Sequence, residues 1–84
     1  MKGSEMMKYK LYRWRNDCAE VGLSICLTRQ YPPKGNHEWG ATEFTELGTF
    51  SNTTELAELL RKEDPNYFKA NALACAEAML NGKE

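Results

Sequence analysis

His37, Cys18, Cys26, Cys75 and a dozen carboxylates are the residues of this chain with reactive side chains. A nucleophilic thiol would need His37, the single histidine, beside one of the three cysteines. No Cys-x-x-Cys pair occurs, and one histidine cannot build a multi-histidine metal site. There is no phosphate-cradling P-loop and no Gly-x-Gly-x-x-Gly motif. Nothing fixes two carboxylates in one cleft. Cys26 and Cys75 fall in apolar contexts and read as structural, which leaves Cys18 as the thiol expected at the surface. No catalytic residue, metal ligand or cofactor site is assigned; an enzyme using Cys18 or His37 is the weakest of three readings.

Two other constellations are stronger. Over residues 1–15, Lys2, Lys8, Lys10, Arg13 and Arg15 face Glu5 alone, interleaved with Tyr9, Tyr12 and Trp14. Cations for phosphates and rings for bases are the ingredients of a nucleic-acid surface, built here from Lys8, Lys10, Tyr12, Arg13, Trp14 and Arg15. The same pattern serves an edge strand, whose Lys and Arg discourage edge-to-edge pairing. The second constellation is acidic and aromatic. Tyr31, His37 and Trp39 lie in a Pro- and Gly-containing stretch, and Tyr and Trp are frequent interface anchors. Beyond them Glu43, Glu46, Glu55 and Glu58 belong to a run of acids opposed only by Arg61 and Lys62. An acidic patch of this kind would dock on a basic protein surface, and otherwise forms a solvated face.

The elements that must position these residues are short. The chain has 84 residues and a formal net charge of −1. That is one small domain, with no global pull toward nucleic acid or an anionic membrane. Residues 1–5 are read as a leader outside the fold, either a frayed end or an added segment ahead of a start at Met6 or Met7. The domain is expected over 6–82. No secretory h-region is visible and no run approaches the ~20 apolar residues of a membrane span. The odd cysteine count argues for free thiols in a reducing cytoplasm.

Residues 6–15 alternate, with Met7, Tyr9 and Leu11 on one side and Lys8, Lys10, Tyr12 and Trp14 on the other, which predicts a strand. Asn16-Asp17 marks a turn. Val21, Leu23, Ile25 and Leu27 alternate with Gly22, Ser24, Cys26 and Thr28, which predicts a central strand with one buried face. Residues 30–40 form a connection long for a hairpin. Residues 41–50 are a third strand anchored by Phe44 and Phe50, with Gly48 marking a bulge that re-phases Leu47 and Phe50. Asn52 caps a helix, with Glu55 three residues on and Leu56, Leu59 and Leu60 as its stripe. Asp64-Pro65 starts a second helix over 65–81, with Phe68, Ala72, Cys75, Ala76 and Met79 facing the core, Leu73 and Leu80 widening that face, and Gly82 as its C′ residue. The fold class is α+β, in two layers: a three-stranded antiparallel sheet in the order first-second-third, followed by two C-terminal helices (βββαα).

Residues 47–57 (LGTFSNTTELA) resemble the strand-to-helix junction of AP2-type and integrase arm-type DNA-binding domains. The resemblance implies three antiparallel strands packed on a helix. It does not extend to a DNA-facing surface, because the second strand carries Ser24, Cys26 and Thr28 rather than basic residues, and the chain continues into a second helix.

The leading expectation is a small non-enzymatic intracellular module acting by protein–protein contact, of the kind found among regulatory adaptors and small inhibitors of phage or mobile elements. Nucleic-acid binding through the first strand is the alternative. A homodimer through the alanine-rich second helix is a further option. No membrane partner and no cofactor are expected.

Overall fold

The computed structural model describes residues 8–33 and 40–82. Strand β1 (Tyr9–Asn16) turns into β2 (Val21–Leu27), and a single 3-10 turn, Thr28–Gln30, follows. Strand β3 (Ala41–Phe50) leads to helices α1 (Thr53–Glu63) and α2 (Ala72–Asn81). The architecture is the expected three-stranded antiparallel sheet followed by two helices.

The strand order is β2-β1-β3, not the sequential order. β1 is therefore the central strand and β2 an edge, the reverse of the sequence reading. β1 carries apolar side chains on both faces, which a central strand covered from two sides requires. β2 and β3 are each antiparallel to β1, hence parallel to one another. Their connection over 28–40 is a crossover rather than a hairpin loop, which accounts for its length.

The β1–β2 turn is organised by Asn16. Its Oδ1 accepts the backbone N–H groups of Cys18 at 3.0 Å and Glu20 at 2.9 Å, and its Nδ2 donates to Glu20 Oε1 at 2.8 Å. Ala19 takes the left-handed backbone conformation, at φ 65°, which is costly for a residue with a Cβ.

Pairing of β1 with β3 shifts register twice. Leu47 is the extra residue between the pairs Leu11–Gly48 and Tyr12–Glu46, and Thr42 the extra residue near the start. The first shift lies beside Gly48, as expected. It places Phe44 and Phe50, six residues apart, on opposite faces.

The helices cover the odd-numbered face of β1 and β2. Leu11, Ile25, Phe50, Leu56, Ala57, Leu60, Phe68, Ala72 and Ala76 form the core. Tyr9 stacks on Phe50 with ring centroids 5.5 Å apart. A Cβ at Gly48 would lie 2.6 Å from Leu59 Cδ2, so the missing side chain lets α1 sit close to β3. Val21, expected in the core, is 61% exposed, because it starts an edge strand beyond the helices.

α1 begins as its sequence dictates. Asn52 Oδ1 accepts the N–H of Glu55 at 2.8 Å, and Glu55 Oε1 accepts the N–H of Ser51 at 2.7 Å. α2 is shorter than expected. Asp64 does act as a cap, accepting Tyr67 N–H at its carboxylate and Phe68 N–H at its carbonyl. The turns it opens run only over residues 65–71 before α2 starts at Ala72. Asn66 and Asn71 are weak helix formers inside that stretch. Gly82 ends α2 in the right-handed conformation, at φ −68°, rather than as a left-handed C′ residue. Leu73, expected to widen the buried face, is 48% exposed.

Candidate functional site on the helix-free sheet face

Strand alternation divides the basic segment between two faces. Arg13 and Arg15 share the helix side of the sheet, while Lys10, Tyr12 and Trp14 point to the opposite side. Lys8, just ahead of β1, is exposed. The six residues proposed for nucleic acid therefore do not form one surface. Tyr12 and Trp14 are only 2% and 7% exposed, so neither ring offers an open face for a base.

Both rings lie on the sheet face away from α1 and α2. Tyr12 contacts Tyr31 at 5.7 Å between centroids and Phe44 at 5.7 Å, the latter edge-on. Trp14 lies across Gly22 on β2; a Cβ there would come within 2.5 Å of Cζ2 and 2.9 Å of Nε1. Gly22 is thus the seat of the indole. Tyr31 enters the cluster from the start of the crossover, whose Tyr31–Pro32 peptide bond is cis.

A charged pair borders the rings. Lys10 Nζ lies 2.9 Å from Glu46 and 5.4 Å from the Tyr31 ring centroid. Burial raises the Tyr31 phenol above its ordinary pKa, and Glu46 adds to this while Lys10 opposes it. The face is aromatic and locally neutral.

Of the residues proposed for partner contact, Tyr31 and Glu46 meet on this face. Glu43 sits opposite Arg15 on the other side of the sheet. Glu55 is engaged in the α1 cap, and Glu58 is exposed on the same helix. The acids do not converge into one patch. His37 and Trp39 lie outside the described residues. Phe44 and Gly22 are additions that the sequence reading did not assign to a site. The bulge at Gly48 was the signal for Phe44, since it separates that ring from the core phase.

A concavity of about 540 Å³ opens between β2 and the α1–α2 junction, walled by Arg13, Val21, Leu23, Glu63, Tyr67 and Phe68. Arg13 and Glu63 form an ion pair within it. The lining holds no histidine or cysteine. Among the described residues no three His, Cys, Asp or Glu side chains group to hold a metal ion, and no helix is long and apolar enough to cross a membrane. Cys18 is exposed and Cys26 and Cys75 half-buried, all three as free thiols. Comparisons with protein-family models, with curated proteins and with solved structures found no match, so the site is read from its own geometry.

Proposed function

We propose that this chain is a small, non-enzymatic, cytoplasmic binding module that acts by protein–protein contact through the helix-free face of its sheet. The observation that carries the reading is the aromatic cluster of Tyr12, Tyr31 and Phe44 beside the Lys10–Glu46 pair, with Trp14 next to Phe44 across the strands. Tyr31 and Phe44 are half-buried, in contrast to Tyr12 and Trp14, which are buried. Exposed aromatic surface with compensated charge suits a protein partner, whose interface cores are poor in charge and rich in Tyr, Trp and Phe. It suits phosphate poorly. Nucleic-acid binding would need uncompensated cations gathered on one face, yet Lys10 and Arg13 are each joined to a carboxylate and Arg13 and Arg15 lie on the helix side of the sheet, away from Lys10. Three free thiols accord with a reducing compartment.

The test is site-specific photo-crosslinking in the native host, with the reactive group placed at Phe44 or Tyr31 and, as control, at Glu58 on α1. Protein adducts from the first two positions and none from Glu58 support the reading. Nucleic-acid adducts at Phe44, or binding to a labelled oligonucleotide that weakens steeply with salt, overturn it.

A further inference from the structure

We propose that the chain forms a two-fold symmetric dimer in which β2 pairs antiparallel with β2 of a second copy, making one continuous six-stranded sheet. The inference rests on the sheet edge and is independent of the partner face described above.

The two edges of the sheet differ. β3 carries Glu43 and Glu46 and is interrupted by two register shifts. Charges and bulges are the usual defences of an edge against pairing with another strand. β2 has none of them. Its seven residues, VGLSICL, include no charge and no proline, and its pairing with β1 runs without a register shift. An undefended edge of this length is a template for a further strand.

The hydrogen-bond phase says which strand fits. Thr28 N–H donates to Lys8 O and Asn16 N–H to Glu20 O at the two ends of the β1–β2 ladder. Between them the even-numbered residues Gly22, Ser24 and Cys26 turn their backbone groups toward β1. Val21, Leu23, Ile25 and Leu27 aim theirs outward. These four positions are symmetric about Ser24. A second copy turned about a two-fold axis through Ser24 pairs Val21 with Leu27 of that copy and Leu23 with its Ile25. Every outward N–H and C=O of β2 then has a partner. The one residue set against itself is Ser24, which is uncharged, so the arrangement opposes no like charges.

The neighbouring layer accommodates it. α2 packs on β2, so the two α2 helices approach each other above the new strand pair. Strands pair at roughly 4.8 Å while helices need roughly 8–10 Å. Ala74 and Ala78 of α2 are small and exposed, and Leu73 and Val21 are exposed as well.

The test uses the full chain in sedimentation velocity over a concentration series. The expected species has twice the 9.6 kDa chain mass. Ser24→Lys sets two ammonium groups face to face and should raise the dimer dissociation constant about tenfold or more. Circular dichroism checks that this variant is folded. Ser24→Cys in a Cys18→Ser background reads the register directly. Non-hydrogen-bonded antiparallel partners lie about 4.5 Å apart at Cα, within disulfide range. Oxidation should therefore give a reducible dimer, whereas Glu58→Cys in the same background should not. A monomer at every concentration overturns the proposal. So does a dimer that Ser24→Lys leaves intact and Ser24→Cys does not crosslink.

Discussion

Gly22→Ala tests the candidate face at the point where its largest ring meets the sheet. The added methyl would sit 2.5 Å from Trp14 Cζ2, 2.7 Å from Cε2 and 2.9 Å from Nε1. These are overlaps, and the backbone of β2 is held by its pairing with β1, so the indole must move. Trp14 is buried against its surroundings, and overpacking of such a site costs about 1–3 kcal/mol. Replacing a strand glycine by alanine returns roughly 0.5–1 kcal/mol through the unfolded chain. The net expectation is a loss of about 1–2 kcal/mol, or a fall in Tm of roughly 5–15 °C for a domain of this size. The assay is urea unfolding followed by tryptophan emission in a Trp39→Phe background, where Trp14 is the sole indole of the two in the chain. The denaturation midpoint should fall with m unchanged, and native emission should shift to the red. Gly48→Ala is the control: its methyl meets the flexible end of Leu59 at 2.6 Å, so Trp14 emission should not change. A Gly22→Ala variant as stable as its parent, with unaltered emission, would refute the placement of Trp14 on Gly22.

Further outcomes follow from features of the same scaffold. Asn16→Ala removes three side-chain hydrogen bonds of the β1–β2 turn and should cost about 1–3 kcal/mol. Asn16→Asp keeps the acceptor but opposes Glu20, so urea titrations should place it between the two. Ala19→Gly relieves the φ 65° conformation and should stabilise by about 0.5–1 kcal/mol, read as a higher thermal midpoint. Asn52→Ala leaves the N–H of Glu55 without its cap; a loss of about 1 kcal/mol and faster amide exchange at Glu55 are expected. The Tyr31 phenol has a raised pKa in the fold, so the folded chain holds that proton more tightly than the unfolded chain. Its contribution is fully present below the ordinary phenol pKa and is lost as pH rises through the raised one. Tyr31→Phe should remove that component from the alkaline stability profile.

Local signals were legible in the sequence, and lateral order was not. Asn16-Asp17 fixed the β1–β2 turn, Asn52 and Glu55 fixed the start of α1, and Gly48 marked the register shift, each because a few adjacent residues determine the hydrogen bonds concerned. Which side of the hairpin β3 joins depends on the crossover and on packing between distant segments. The basic residues of β1 suggested an edge, yet Lys10 and Arg13 serve as ion-pair partners for Glu46 and Glu63. The clue to a central strand was apolar character on both faces of β1, with Leu11 on one and Tyr12 and Trp14 on the other. β2 misled in the opposite sense, since a strand without charge reads as interior although it lies at the rim. For the site, Tyr31 and Glu46 were foreseen, but their meeting with Lys10 and Tyr12 required the third dimension. The acids of α1 were grouped with Glu46 by proximity in the chain, and the fold sends them to the other layer.

The supernumerary Leu47 gives β3 two owners. Upstream of it the aromatic residue, Phe44, faces the exterior; downstream the aromatic residue, Phe50, faces the interior. Point substitutions in either half can therefore drift without disturbing the other, so the outer surface is free to diversify over an unchanging hydrophobic interior. Deleting this single residue would join the halves in one phase and drive either Phe44 inward or Phe50 outward. Variation here should be rich in replacements and intolerant of gaps.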